Sequence, residues 1–220
     1  MESEIFPGIG DDSVRTKICG IRSEEQARAI IDHGVDALGF NFWPRSKRYL
    51  DPAHGKWLKP LAGKTIRVGV FVNADNSLIR ELLDEGLIDW AQLHGDESPQ
   101  LVQDLQEEGY QVFKALGVRD EASLDQMTLF SGPILLDAYA PTEYGGSGET
   151  MDWALGARAV QRYPDRQIIL AGGLNPENVS DAIAQVHPAA VDVASGVEDR
   201  PGQKDIVLCG KFIDAVKALL

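Results

Sequence analysis

Two residues of this sequence are suited to acid–base chemistry, and each ends a short apolar run. Cys19 ends the run 14–19 and precedes a glycine, and Asp137 ends the run 133–137. A thiolate can accept a proton and a carboxylic acid can donate one, so the two could act as general base and general acid. The structural alternatives are an inert buried thiol and an aspartate that caps the next segment. For Cys19 the two interpretations are balanced, whereas the glycine-rich stretch 144–148, a candidate lid, favours function for Asp137.

The surroundings of these residues predict how readily they exchange protons. Lys17 would share a strand face with Cys19, because side chains two residues apart point to the same side. Its charge would favour the thiolate and lower the thiol pKa from an ordinary value of about 8.5. A carboxylate that leaves an apolar strand loses hydration, which favours its protonated form and suits a general acid.

Two glycine-containing segments are typical of phosphate binding. The first spans 171–177 and the second follows the next predicted strand. Their key residues are Gly172, Gly173, Asn175 as a predicted helix N-cap, Pro176 as a predicted first helical residue, Ser195 and Gly196. Backbone amides near a helix N-terminus attract phosphate. Either segment alone could be a structural turn, but the two together predict a phosphate site.

Further polar residues stand where a ligand could reach them. The loop after the second predicted strand carries Arg45, Lys47 and Arg48, which form either a solvated loop or an anion contact. By strand alternation His94 shares the inner face of the fourth strand with Gln92, and Asp192 points inward from the eighth. A core histidine is the structural alternative for His94, but its place at a strand end favours a substrate contact.

Eight short strands separated by helical patterns are the elements that would position these residues. The predicted strands are 14–19, 36–41, 67–73, 89–94, 111–116, 133–137, 167–172 and 190–195. The helical patterns between them end at glycines 34, 86 and 109 in three cases, with a weak helix at 52–61, another at about 120–127, and a last one at about 211–220. This alternation predicts an α/β protein with a parallel sheet, and the short repeat favours closure into a (β/α)8 TIM barrel. A doubly wound dinucleotide-binding sheet is disfavoured, because no GxGxxG turn follows the first strand.

The chain predicts one domain over 14–220, preceded by a mobile acidic tail over 1–13. The formal net charge of −13 argues against nucleic acid or an anionic membrane as partner. The two cysteines have no metal-ligand or disulfide spacing, and free thiols suit a reducing cytoplasm. We expect neither a secretory signal nor a membrane span, since no sufficiently long apolar run occurs.

A colinear series of short blocks resembles the phosphoribosylanthranilate isomerase family of tryptophan biosynthesis. The blocks are 17–21 (KICGI), 37–40, 45–49, 68–73, 92–95 (QLHG), 135–137, 145–148 (GGSG), 172–179 (GGLNPENV) and 191–198 (VDVASGVE). They run in one order from about residue 14 to the C-terminus, one or more per barrel repeat, which makes the resemblance specific.

The resemblance implies an Amadori rearrangement that needs no metal and no organic cofactor. The substrate would be N-(5-phosphoribosyl)anthranilate and the product 1-(2-carboxyphenylamino)-1-deoxyribulose 5-phosphate. Asp137 would be the general acid that opens the furanose ring, and Cys19 the general base that removes the C2′ proton. The substrate-binding residues implied are Arg48 for the anthranilate carboxylate, Gly173, Ser195 and Gly196 for the phosphate, and Gly172, His94 and Asp192 lining the same pocket.

Some positions depart from the family pattern, and two other functions stay open. Glu149 stands where many relatives carry another residue, and Ala171 and Ala194 replace frequent serines. A phosphosugar-isomerising barrel of histidine biosynthesis, or a dual-substrate relative, would carry aspartate in place of Cys19. A non-catalytic phosphosugar-binding paralogue would keep the glycine loops and lose the acid or base. The expected partner is a small phosphorylated molecule, and a homodimer is left open as the assembly.

Overall fold

The computed structural model describes residues 6, 13–139 and 150–219. The predicted candidate lid 144–148 and Glu149 lie outside these residues, as does the predicted tail apart from Phe6 and Ser13. Within the described part of the chain, no helix is long and apolar enough to cross a membrane.

Eight parallel strands close into a barrel in the order β1 to β8, which confirms the predicted (β/α)8 fold. The strands are β1 Arg15–Cys19, β2 Ala37–Asn41, β3 Ile66–Phe71, β4 Trp90–Leu93, β5 Gln111–Val118, β6 Ile134–Ala138, β7 Ile168–Leu170 and β8 Ala190–Val193. The α-helices are α1 Glu24–Asp32, α2 Asn76–Asp84, α3 Pro99–Glu107, α4 Trp153–Arg162, α5 Val179–Val186 and α6 Ile206–Lys217. Strands β1 and β8 pair with Lys17 opposite Asp192, so the sheet has no free edge at the point of closure.

Three connections depart from the regular strand–helix repeat. The weakly patterned segments fold as 3-10 helices at Pro52–Leu61 and Glu121–Leu129. After β8 come a short 3-10 turn, Ser195–Val197, and an antiparallel pair of short strands, β9 Glu198–Arg200 and β10 Gln203–Lys204. This hairpin turns out to carry charged residues of the site.

Two predicted helix starts were wrong. Helix α6 begins at Ile206 and not near 211, because the Asp205 side chain accepts hydrogen bonds from the Val207 and Leu208 amides. Helix α5 begins at Val179, so Pro176 is not its first residue. The Asn175 side chain instead accepts from the amides of residues 177 and 178 and caps the turn before the helix.

The core has an outer and an inner part, as strand alternation requires. Outward-facing strand residues pack against the helices. Inward-facing residues fill the barrel, among them Ala37, Val68, Trp90, Phe113 and Leu135. Phe6 belongs to this inner cluster, fully buried, with ring centroids 6.2 Å from those of both Trp90 and Phe113.

Candidate active site

Cys19 stands at the C-terminal end of β1 and faces the barrel interior, as strand alternation predicts. It is 8% exposed and lies opposite Gly39 of β2 in the strand register. A side chain at that glycine would collide with it, because an added Cβ would lie 2.7 Å from the Cys19 Sγ. Gly39 therefore makes the space that the thiol occupies.

A buried ion pair lies directly below the thiol. Lys17 Nζ donates to Asp192 Oδ1 at 2.9 Å, and the Lys17 side chain is wholly shielded from solvent. Burial alone would lower the lysine pKa, but the charges of Asp192 and Cys19 oppose this and the pKa of Lys17 is raised. Lys17 is thus a fixed cation beneath Cys19.

The predicted lowering of the Cys19 pKa was wrong. Burial disfavours the thiolate more than the Lys17 charge stabilises it, and the pKa of Cys19 is raised. The carboxylate of Asp192 adds to the rise, while Lys204 opposes it. The thiol is therefore protonated at neutral pH, and the thiolate it gives up is a strong base.

Across the barrel, His94 and Asp137 lie in contact. His94 Nε2 is 3.4 Å from Asp137 Oδ2, and both side chains are largely buried. Gln92 Nε2 lies 2.9 Å from His94 Nδ1, which confirms that the two share the inner face of β4. The other Asp137 oxygen, Oδ1, accepts the Ala138 amide at 2.8 Å.

Arg48 lies across the backbone of Gly20, directly after Cys19, where only a glycine leaves room for its side chain. Its guanidinium is held by Glu198 through two hydrogen bonds, from Nε at 2.7 Å and from Nη2 at 2.9 Å. Lys204 Nζ donates to the same carboxylate at 2.9 Å and to the Ala194 carbonyl at 2.7 Å. Burial raises the pKa of Glu198, but its two cationic partners outweigh burial and the pKa is lowered. Arg48 is thereby pre-oriented with Nη1 left for a further acceptor.

The two predicted phosphate loops lie against each other at the same end of the barrel. An added Cβ on Gly196 would lie 1.9 Å from the Leu174 carbonyl oxygen, so the two backbones are in close contact. Gly172 has φ of +83°, and an added Cβ there would lie 2.7 Å from the Ala138 amide. Gly172 and Gly173 are half-buried, as are Ser195 and Gly196. This arrangement joins the glycine loops to the strand that carries Asp137.

Two functional features escaped the sequence analysis. Lys204, which is 4% exposed, lies in the hairpin after β8, outside the barrel strands, where no periodicity indicates an inward direction. The second feature is a buried pair, with Lys114 Nζ 3.1 Å from Glu97 Oε2. Glu97 also accepts the amides of Asn73 and Gly95, each at 2.8 Å, and so holds the turn that follows His94. The acidic run after His94 is the one signal that could have identified it.

Comparison with known proteins agrees with this geometry. A sequence model described as N-(5'-phosphoribosyl)anthranilate (PRA) isomerase matches residues 16–215. The N-(5'-phosphoribosyl)anthranilate isomerase of Thermotoga maritima is 43% identical over 94% of this chain and 100% of its own length. That of Geobacter metallireducens is 41% identical over 93% of this chain and 100% of its own.

Solved structures give the same result. The Thermotoga maritima phosphoribosyl anthranilate isomerase has a TM-score of 0.83 at 41% identity, covering 93% of this chain and 99% of that one. A related isomerase in complex with reduced 1-(o-carboxyphenylamino)-1-deoxyribulose 5-phosphate has a TM-score of 0.80 at 39% identity, over 93% and 99% of the two chains. The resemblance seen in the short blocks is confirmed, and the chain belongs to the N-(5'-phosphoribosyl)anthranilate isomerase family.

Proposed function

We propose that this protein is the isomerase that converts N-(5'-phosphoribosyl)anthranilate to 1-(2-carboxyphenylamino)-1-deoxyribulose 5-phosphate in tryptophan biosynthesis. One observation carries the proposal. The family acid and base, Asp137 and Cys19, are both present, and both point inward at the C-terminal ends of barrel strands. A barrel enzyme builds its active site at these ends.

The first step is ring opening. Asp137 donates a proton to the furanose oxygen, the bond from that oxygen to C1′ breaks, and its electron pair stays on the oxygen. The nitrogen lone pair forms the C=N bond of a protonated Schiff base. Asp137 suits this role because its carboxyl group is 8% exposed and stands at the pocket end of β6.

The second step is removal of the C2′ proton. The Cys19 thiolate takes this proton, the electron pair of the broken C–H bond forms the C1′–C2′ double bond, and the positive nitrogen becomes neutral. The enolamine then tautomerises to the ketone. Burial and the raised pKa make the thiolate a strong base for a carbon acid that the adjacent Schiff base has already activated.

Two anionic ends anchor the substrate in this pocket. Arg48, oriented by Glu198, binds the anthranilate carboxylate, and the backbone of Gly173, Ser195 and Gly196 binds the phosphate. Gly172, His94 and Asp192 line the space between them. Holding both ends of one molecule fixes its reacting atoms relative to the acid and the base.

The decisive experiment follows the fluorescence decrease of phosphoribosylanthranilate on adding the purified protein. The wild type should give a protein-dependent decrease, and both Cys19→Ala and Asp137→Asn should lower kcat by roughly 10²–10⁴-fold. Cys209→Ala is the matched control, because Cys209 is a buried thiol in α6. Near-normal turnover by Cys19→Ala or Asp137→Asn would remove that residue from its role, and an inactive wild type would overturn the proposal.

We also infer a cytoplasmic location and a homodimeric assembly. Both cysteines are buried free thiols, which suits a reducing compartment. A Thermotoga maritima relative, 39% identical with a TM-score of 0.80, is described as dimeric. Light scattering on the purified protein should give twice the chain mass of 24.0 kDa, and a mass of one chain would refute the dimer.

A further inference from the structure

Gln92 is a buried polar residue that the proposed chemistry does not use. It is 1% exposed on the inner face of β4, and its amide Nε2 lies 2.9 Å from His94 Nδ1. On the other side of the imidazole, Nε2 lies 3.4 Å from Asp137 Oδ2. The three side chains therefore form a line, amide to imidazole to carboxyl, that ends at the proposed acid.

We propose that Gln92 is a positioning residue that holds His94 as the neutral tautomer with its proton on Nε2, and thereby keeps the catalytic proton on Asp137. The location of the proton rests on the hydrogen-bonding capacity of each group. The catalytic consequence rests on the proposed function of Asp137, but the tautomer does not.

The carboxylate determines the direction of the line. An ionised carboxylate only accepts hydrogen bonds, so the His94 Nε2 that faces Asp137 must carry a hydrogen. The opposite nitrogen of a neutral imidazole then has only a lone pair, and it requires a donor. The Gln92 amide nitrogen is that donor at 2.9 Å. The amide oxygen, Oε1, is buried without a hydrogen-bond partner among the described side chains, so no competing contact turns the amide round.

The same arrangement decides where a proton added to the pair will go. If it were placed on His94 Nδ1, the new N–H would point at the donating amide of Gln92, two donors 2.9 Å apart. If it is placed on Asp137, Oδ1 is already engaged by the Ala138 amide and Oδ2 receives the His94 N–H on one side. The free lone pair of Oδ2 is then the available place for the proton, and the proton can be passed to a bound substrate. Gln92 thus prevents His94 from taking the proton as an imidazolium ion.

The test is the protonation pattern of His94, read by 15N NMR on protein labelled at its histidines. The chain has four histidines, and His94→Asn identifies the signals of His94 by their loss. At pH 7.5 the wild type should show an unprotonated Nδ1 and a protonated Nε2. Gln92→Glu replaces the donor with an acceptor of the same shape, and it should place a hydrogen on Nδ1. Gln92→Leu removes the donor without supplying an acceptor, and it should give a mixture of tautomers.

The matched control is Gln103→Glu, the same chemical change on an exposed face of α3. It should leave the His94 signals and the kinetics unchanged. Gln92→Glu should in addition lower kcat at least 10-fold with a smaller change in KM, because a proton held by His94 is lost to the acid step. A loss of packing alone would not exchange the protonated nitrogen.

Each outcome has one meaning. A protonated Nδ1 in the wild type, or an unchanged pattern in Gln92→Glu, overturns the proposal. The expected tautomers with an undiminished kcat in Gln92→Glu overturn its catalytic part. The expected tautomers in a wild type without isomerase activity support the positioning role of Gln92 and overturn the proposed function instead.

Discussion

At the scale of single residues, the chemistry of the site depends on how burial competes with charge around Cys19. The cation beneath the thiol, Lys17, stabilises the thiolate, but loss of hydration is the larger effect and the pKa of Cys19 is raised. A base with a raised pKa is stronger and less populated at neutral pH, and these two effects oppose each other in the rate. The enzyme therefore works with a small thiolate fraction of high reactivity.

The pH dependence of kcat/KM should show this raised pKa directly. Protonated thiol is inactive as a base, so kcat/KM should climb with pH through neutrality and level off only above the ordinary range of a thiol. Lys17→Met removes the cation that opposes the rise and leaves the Asp192 charge, so the ascending limb should move to still higher pH. Lys211→Met, an exposed lysine on α6, is the control and should leave the limb in place. A limb that lies below the ordinary thiol range would contradict the electrostatic account.

Substrate affinity should depend on Lys204, although this residue makes no contact with Asp137 or with Cys19 in the hydrogen-bond network. Lys204 shares the Glu198 carboxylate with Arg48. Without it, Glu198 would neutralise Arg48 alone, and the anthranilate carboxylate would meet less positive charge. A charge-assisted contact is worth about 1.5–3 kcal/mol, so Lys204→Met should raise KM by roughly 10-fold or more.

Steady-state kinetics near the pH optimum measure this effect. Lys204→Arg should recover most of the affinity, because it restores a donor to Glu198. Arg200→Met changes an exposed cation of the same hairpin and should leave KM unchanged. An unaltered KM in Lys204→Met would show that Arg48 does not depend on the shared carboxylate.

At the scale of elements, the strand register decides which side chains can meet. Cys19 is opposite Gly39, and Asp137 is opposite Gly117. In each pair a residue proposed for proton transfer faces a residue without a side chain. The small neighbour leaves open the pocket that the substrate would occupy.

Gly39→Ala should therefore impair catalysis more than folding. The new methyl group would lie 2.7 Å from Sγ and 3.0 Å from the Cys19 Cα, so the thiol and its strand must shift. Overpacking of this kind costs about 1–3 kcal/mol in stability, while a displaced base should lower kcat by at least 10-fold. Gly55→Ala is a suitable control, because its added Cβ would meet nothing closer than 3.7 Å. Equal turnover in the two variants, with thermal melting as the check on folding, would mean that Cys19 tolerates displacement.

Strand positions were predictable and connections were not, for a physical reason. Alternation along a strand is a strictly local property, so the inward directions of Lys17, Cys19 and Gln92 follow from the sequence alone. Helix starts depend on which side chain reaches the free amides, and Asp205 takes this role ahead of the last apolar pattern. The burial of Lys204 arises from a tertiary contact across the barrel mouth, and no local pattern records it.

At the scale of the whole molecule, a protein of net charge −13 has to receive an anionic substrate. The site contains three buried or half-buried cations, Lys17, Arg48 and Lys204, against the carboxylates of Asp192 and Glu198. With Cys19 protonated, this cluster carries an excess positive charge inside a negative surround. Weakly hydrated, low-dielectric surroundings strengthen that local charge, which is why the acidic exterior does not prevent anion binding.

The opposite end of the barrel gives a prediction about stability that is separate from catalysis. Phe6 is fully buried and packs edge-on against Trp90 and Phe113, close to where β4 and β5 begin. It fills the barrel at the end away from Cys19 and Asp137, which stand where β1 and β6 end. Replacing a well-packed phenylalanine by alanine costs up to about 3–5 kcal/mol, and each kcal/mol lowers the melting temperature of a chain of this size by about 2–4 °C. Phe6→Ala should therefore lower the melting temperature by several degrees and leave kcat and KM unchanged, while Phe6→Leu should recover much of the loss. A melting temperature equal to that of the wild type would show that Phe6 does not close the barrel in solution.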